Sequence, residues 1–450
     1  MDRPLRVAVV GAGPSGLYSA DALLSQDEVA VMVDVIDRLP TPFGLVRYGV
    51  APDHLSIRSV REKLDGIFDN PGIRFLGNVE VGKDLTWEQM EQFYDAVILA
   101  YGASRDRELG IPGEDLPGSI AATDLVNWYT GHPDMPPDAF TGLLAGSRSV
   151  AVIGVGNVAV DVTRVLSTSP EEIEHTDMPE HVFAALRASG VREIHLIGRR
   201  GPAQANWTTK ELRELGELAD CGIVVDEGAQ VDDPASVAAI ASDKATARNV
   251  AVIEEWLARP AQERPRMIHV HFRSRPVEIR GTGRVEEIVV ERTTLDDEGR
   301  ASGTGDLHTI AVDVVVRSVG YRGLPLDDLP FDGDRHVIPN VDGRVVNGSD
   351  VMRGLYVTGW IKRGPSGIIG TNKKCAVQTV SAVLADASEG LLERATDPDP
   401  EAVMLALADV DVVDHAGWRR IDAAERSLGE QAGRARTTLH DRSDLIAASR

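Results

Sequence analysis

Two glycine turns, each set between an apolar strand and a helix, constrain this chain of 450 residues more than any other feature. The first, Gly11-Ala12-Gly13-Pro14-Ser15-Gly16, is a full G-x-G-x-x-G directly after the valine-rich run Leu5–Val10. Such a run fits a strand buried on both faces of a parallel sheet. Ser15–Leu24 reads as the helix behind the turn and Val29–Ile36 as the next strand, which together make one βαβ unit. In a turn of this type the first glycine permits the tight bend, and the second lets backbone approach a pyrophosphate. The third lets the helix pack closely, with its N-terminal N–H groups aimed at the phosphates. Asp37 ends the second strand about 20 residues past the glycines, where a carboxylate accepts from a ribose hydroxyl. Asp34 is the rival acid, but it lies inside the strand and is expected to face outward.

At Ser149–Ile153 the plan restarts. Gly154-Val155-Gly156-Asn157-Val158-Ala159 is a second copy with Ala in the third place, and Val158–Leu166 reads as its helix, on which Asp161 is expected to be a structural partner. Its partner strand Glu193–Ile197 ends in Gly198-Arg199-Arg200 instead of an acid. A carboxylate there would select a free 2′-hydroxyl, whereas two guanidiniums offer a 2′-phosphate a charge-assisted fork. Behind the dinucleotide turn of Gly154 and Gly156, Arg199 and Arg200 therefore point to NADP over NAD. Two nucleotide turns imply two dinucleotides, one donating hydride and one receiving it, and neither turn alone says which holds the flavin.

Ala96–Ala100, Val312–Val316 and Gly354–Val357 read as further strands, and Ala376–Ala385 as a helix behind the glycine cluster that follows the last of them. Met267–Glu278 and Gly283–Thr293 read as antiparallel strands, Asp296–Thr309 as a polar loop, and the region from about Pro398 as helical pieces and a surface arm. The expectation is an α/β protein of two nucleotide-binding, Rossmann-like (three-layer ββα/αβα) domains, the second inserted in the first. Residues 1–103 and 324–450 would form the first and 104–323 the second. With 47 Lys+Arg against 70 Asp+Glu the net charge is −23, which repels nucleic acid and anionic membranes alike. No apolar run nears the ~18 residues of a membrane span, and Met1–Arg6 runs into the first strand without a signal-peptide apolar region. A cytoplasmic protein is expected. Cys221 and Cys375 are too far apart for a C-x-x-C pair, a zinc ribbon or an iron–sulfur cage, and are expected to be buried small hydrophobes.

Three longer stretches carry a resemblance. They are Pro42-Phe43-Gly44-Leu45-Val46-Arg47-Tyr48-Gly49-Val50-Ala51-Pro52-Asp53-His54, Gly154–Asp161, and Gly359-Trp360-Ile361-Lys362-Arg363-Gly364-Pro365-Ser366-Gly367-Ile368-Ile369-Gly370-Thr371. In order and spacing, from about Arg6 to Leu384, the chain resembles the adrenodoxin reductase family of ferredoxin–NADP reductases, including its bacterial members. The resemblance implies FAD in the first domain and NADPH in the inserted one. Carried over by position, it implies FAD contacts at Gly11, Gly13, Ser15, Asp37, Leu45, Val79, Trp360, Gly367, Ile368 and Ile369. It implies NADP contacts at Asn157, Val158, Arg199, Arg200 and Glu211, with Trp360 and Gly367 near the nicotinamide and His54 and Glu211 as catalytic positions beside it. No metal site is expected.

The activity so implied is NADPH:ferredoxin oxidoreductase, with hydride passing from NADPH to FAD and single electrons to an iron–sulfur ferredoxin, in a monomer. Disulfide reductases of similar plan need a close cysteine pair that this chain lacks. The alternative is an FAD- and NADPH-dependent monooxygenase of a small molecule. Its F-x-G-x-x-x-H signature starts at Phe75 and Gly77 but meets Val81 where His belongs. A third reading is a nucleotide-sensing protein without turnover. The family's docking surface includes basic residues of the inserted domain. Here Lys244, Arg248 and Arg259 are diluted by Asp243, Glu254 and Glu255. A basic rim at the flavin edge is expected instead, from Lys362, Arg363, Lys373 and Lys374 together with Arg47, Arg58, Arg61 and Lys63.

Overall fold

The computed structural model describes residues 3–260, 262–367 and 369–450. The chain divides into two compact units, Met1–Arg105 with Thr130–Asp134 and Tyr321–Arg450, and Asp106–Tyr129 with Met135–Gly320.

The first unit is built on a seven-stranded sheet. Its order is Asn340–Val341, Arg344–Asn347, Asp350–Val357, Ala96–Leu99, Leu5–Val10, Val31–Asp37 and Ile73–Gly77. The five strands from Asp350–Val357 onward are parallel and the two at the edge antiparallel. Every side chain of Leu5–Val10 is buried, because both faces are covered. Val7 and Val9 pack with Leu17, Val380, Trp418 and Ile421 on one face, and Ala8 and Val10 with Met90, Phe93, Val403 and Leu407 on the other. The helix Pro14–Leu24 lies against Ile369–Ser388.

Two expectations need correction in this unit. Asp34 does not face outward: it is 1% exposed and accepts from Arg6 Nη2 (2.7 Å), Arg74 Nη2 (2.7 Å) and the Tyr94 hydroxyl (2.8 Å). A carboxylate inside a strand can turn inward when cations from neighbouring strands meet it. Nor is the C-terminal region a surface arm. Its helices Pro400–Ala406, His415–Gln431 and Arg442–Ala448 contribute Val403, Trp418, Ile421 and Leu445 to the core. Trp418 meets Phe43 edge-on with ring centroids 5.4 Å apart.

The second unit carries a six-stranded parallel sheet in the order Ser119–Ala121, Val314–Arg317, Ser149–Ile153, Glu193–Ile197, Arg266–His271, Cys221–Val225. One face packs on helices through Val150, Val152, Ile194 and Leu196. The other is covered by an antiparallel sheet of Ser274–Arg280, Glu287–Leu295 and Ala301–Ala311, through Ile279, Ile288 and Val290. The expected antiparallel strand Met267–Glu278 is thus two strands. Arg273, at φ 49°, turns the chain out of the parallel sheet after His271 and into the antiparallel one. The expected loop Asp296–Thr309 is mostly strand. Its polar side chains are exposed, so no alternation marks it, and pairing with Glu287–Leu295 alone makes it a strand. Asp161 pairs with Arg164 at 3.0 Å on the helix Asn157–Ser167. Among the described residues no helix is long and apolar enough to cross a membrane.

Three histidines stack on the parallel sheet of this unit. His195 lies 4.8 Å from His269 and 5.3 Å from His271 between ring centroids, with His195 Nδ1 3.0 Å from His271 Nε2. Glu193 and Asp226 flank the outer two. Burial, with the neighbouring imidazoles, pushes His195 down to about 3. An unfolded chain protonates this residue near pH 6.5 and the folded one does not until far lower. The stability it permits is therefore complete above pH 6.5 and is lost as pH falls toward 3. Thermal melts between pH 7 and 4.5 should show wild type losing more stability than His195→Asn, on the order of 1 kcal/mol per pH unit. Parallel curves would show that His195 is not responsible.

Candidate functional site

In the first unit, Gly11 has φ +113°, and a Cβ there would lie 2.6 Å from the Ala100 carbonyl oxygen. A Cβ on Gly16 would lie 1.9 Å from Gly11 O, so the helix sits against its own turn. Gly13 caps the helix Pro14–Leu24 in extended conformation and has open space around it. Asp37 fixes the turn from beneath, accepting from Ala12 N–H at 2.7 Å and from Leu39 N–H at 2.9 Å. The Phe43 N–H donates to Ala12 O at 2.8 Å, Phe43 and Gly44 both adopt positive φ, and Leu45 opens a short helix beyond them. Val79 is buried and donates its N–H to Asp37 O at 2.9 Å. A Cβ on Gly359 would fall 2.2 Å from Ser15 Oγ, so the late glycine cluster closes on the first turn. The structure thus brings Gly11, Gly13, Ser15, Asp37, Leu45 and Val79 together around one cradle with Gly359.

Trp360 follows, tilted at 36° against Tyr321 with ring centroids 5.4 Å apart, and its buried indole N–H has no partner among the described residues. Gly367 (φ +81°) abuts Thr371, and Ile369 begins the helix Ile369–Ser388. Ile368 lies outside the described residues. His54 is buried just before the helix Leu55–Arg58, its carbonyl accepting from Ile57 and Arg58 N–H.

Two features escaped the sequence reading. Cys375 is buried as expected, but its Sγ also accepts from Gly359 N–H at 3.3 Å and from the Thr358 hydroxyl at 3.6 Å, pinning the glycine cluster. Cys221, expected to be buried, is only half-buried at the sheet edge. The second feature corrects the basic rim. Arg47 is 1% exposed and donates two bonds to Glu425, at 2.5 and 3.1 Å, while Arg58 is buried and donates to Val50 O. Burial alone would raise the Glu425 carboxyl, but Arg47 and Arg436 hold it below the usual range.

In the second unit, Gly154 has φ +124° and a Cβ there would lie 2.1 Å from Ser318 O. Gly156 caps the helix Asn157–Ser167 with no atom closer than 3.9 Å, which leaves its backbone face open. Asn157 Oδ1 accepts from Thr208 N–H at 2.9 Å, and Val158 follows in the first turn. The Thr208 hydroxyl donates to Glu211 Oε2 at 2.6 Å, so buried Glu211 is fixed beside Asn157. At the end of the strand Glu193–Ile197, Arg199 is exposed and Arg200 half-buried, and neither has an ion-pair partner among the described residues. Burial and the charge of Arg199 push the Arg200 guanidinium below its usual value. Two like charges side by side without a carboxylate have the chemistry to receive an anion.

The geometry tests each nucleotide separately. A Cβ on Gly11 or Gly359 would strike Ala100 O or Ser15 Oγ, while the space beside Gly13 is open, and this close-packed turn with one open backbone face fits a flavin dinucleotide. The open Gly156 turn and the uncompensated arginine pair fit a dinucleotide carrying an extra phosphate. A protein with two such turns and no close cysteine pair is a two-dinucleotide oxidoreductase without an internal dithiol.

Comparison with known proteins agrees. Residues 5–237 match the family described as pyridine nucleotide-disulphide oxidoreductase. The NADPH-ferredoxin reductase FprA of Mycobacterium leprae is 44% identical, over 98% of this chain and 97% of its own length. The mitochondrial NADPH:adrenodoxin oxidoreductase of Arabidopsis thaliana is 38% identical, over 99% and 96%. The structure of Mycobacterium tuberculosis FprA in complex with NADPH superposes with a TM-score of 0.92 at 41% identity, covering 99% of this chain and all of that one. The chain belongs to the adrenodoxin reductase-like family of NADPH–ferredoxin reductases.

Proposed function

We propose that this chain is an FAD-dependent NADPH:ferredoxin oxidoreductase, with FAD in the unit of Met1–Arg105 and Tyr321–Arg450 and NADPH in the unit of Met135–Gly320. The observation that carries the reading is full-length similarity to NADPH-ferredoxin reductases in a chain that retains both built turns. Bound flavin supplies the conversion of a hydride from NADPH into single electrons for an iron–sulfur ferredoxin.

The chain's own residues bind and orient. The N-terminus of Pro14–Leu24 receives the flavin pyrophosphate over Gly13 and Ser15, and that of Asn157–Ser167 receives the NADP pyrophosphate over Gly156, Asn157 and Val158. Asp37, oriented by two backbone N–H groups, turns its free lone pairs to the ribose. Leu45, Val79, Trp360, Gly367 and Ile369 line the flavin. The helix Ile369–Ser388 aims its positive end at the ring's electron-rich edge and so favours the reduced anion. Arg199 and Arg200 clamp the 2′-phosphate. His54 in the first unit and Glu211 in the second, the latter held in place by Thr208, are each assigned to the nicotinamide.

Free Cys221 and Cys375 suit a reducing cytoplasm. Because one chain supplies both turns, a monomer suffices. The test is steady-state reduction of a ferredoxin by the holoenzyme with NADPH and then NADH. Many turnovers with a strong NADPH preference are expected. NADPH oxidation coupled instead to a hydroxylated product would replace this reading with the monooxygenase, and no turnover would replace it with the sensor.

A further inference from the structure

The helix Ile369–Ser388 turns Thr371, Lys373, Lys374, Val377, Gln378 and Ser381 to solvent, with no carboxylate among them. Its one acid, Asp386, is buried and taken by Arg344 and the Tyr356 hydroxyl. Lys373 and Lys374 make no ion pair among the described residues, and the Lys373 ammonium lies 6.0 Å from the Tyr18 ring centroid. Lys362 brings a third cation to the same face, donating to Gln378 Oε1 at 3.0 Å and Thr379 Oγ1 at 3.2 Å.

An apolar centre lies beside these charges. Val377 is 46% exposed and Val341 58%. The turn that carries Val341 is tied to the helix where Gln378 Nε2 donates to Asp342 Oδ1 at 3.3 Å and Gly343 abuts Thr379. Of the acids near this face, Asp342 lies close to Lys362 and accepts from Gln378, and Asp21 lies close to Tyr18. Exposed valines beside unpaired lysines match the anatomy of a transient interface, apolar at the centre and charged at the rim.

We propose that Lys373, Lys374, Val377 and Val341 form the docking face for an acidic iron–sulfur ferredoxin. The inference rests on the function proposed above, and charge decides the occupant. On a body of net charge −23 an acidic partner is repelled almost everywhere, so an acid-poor basic helix selects where it lands. The rival surface on the helix Lys244–Ala258 is weaker, because Arg259 is paired with Glu255 and Asp243 and Glu254 lie close in sequence. The chosen helix also begins at the segment assigned to the flavin, so a protein docked on it lies near the source of electrons.

The test uses holoenzyme, NADPH, an acidic [2Fe–2S] ferredoxin and, in parallel, ferricyanide, which needs no protein docking. Lys373→Glu/Lys374→Glu should raise the ferredoxin KM about tenfold at low ionic strength and flatten its salt dependence, with ferricyanide turnover unchanged. An unchanged ferredoxin KM overturns the proposal. So does a rise of that size in Lys244→Glu/Arg248→Glu, which would place docking on the inserted unit. A wild-type enzyme that reduces ferricyanide but no ferredoxin refutes the functional reading itself.

Discussion

Charge reversal in Arg199→Glu/Arg200→Glu should raise the NADPH KM on the order of a hundredfold and leave the NADH KM nearly unchanged. Each guanidinium that meets a phosphate contributes roughly 1.5–3 kcal/mol as a charge-assisted hydrogen bond, and replacement by carboxylates adds repulsion. The effect belongs in KM, because the 2′-phosphate is remote from the reacting carbon and is bound equally before and during hydride transfer. Neither arginine has a carboxylate partner among the described residues to lose, so folding should be intact and melting unchanged. Equal KM values for NADPH in mutant and wild type would remove these residues from the site.

Glu425→Ala should destabilise the first unit by about 3–5 kcal/mol, the cost of stranding buried Arg47 without its carboxylate. Glu425 is fully buried and also accepts from Arg436 Nη1 at 2.5 Å and from Leu439 N–H at 2.9 Å. Arg47 stands two residues after Leu45, so the loss should spread into the segment assigned to the flavin. The expected result is a large fall in Tm with a further fall in retained FAD, read from flavin absorbance per protein. A variant melting within a degree or two of wild type would show that water or rearrangement replaces the pair. Glu425→Gln, which keeps the shape and one acceptor, should lie between the two.

These variants also mark what the sequence makes legible. The glycine turns are readable because each rule is local: a strand, a bend that only glycine tolerates, a helix, and a charged residue at the end of the next strand. Asp37 follows from spacing alone. Asp34, three residues earlier, does not, since its inward orientation depends on Arg6, Arg74 and Tyr94 arriving from three other elements. The Glu425–Arg47 pair spans 378 residues and carries no periodicity to betray it. Arg47 and Arg58 looked like surface charge for the same reason. Cys375 as an acceptor for Gly359 N–H is equally invisible, although its i+16 spacing from a glycine turn is a pattern to look for. The strand Ala301–Ala311 is missed because polar residues on an exposed edge follow no alternation.

The discontinuity of the first unit sets the order of events during synthesis. Its strand Ala96–Leu99 must wait for Asp350–Val357 to pair along one side, and Arg47 for Glu425, 378 residues further along. The second unit emerges in between and needs little beyond its own residues. On a ribosome adding roughly 5–20 residues per second, the interval lasts tens of seconds. Throughout it the nascent chain carries an unpaired parallel edge of apolar strand and a guanidinium without its counter-ion. Such an edge invites foreign strands. The inserted unit can therefore fold first while the N-terminal half is held open, and helices made later complete the half that was made first.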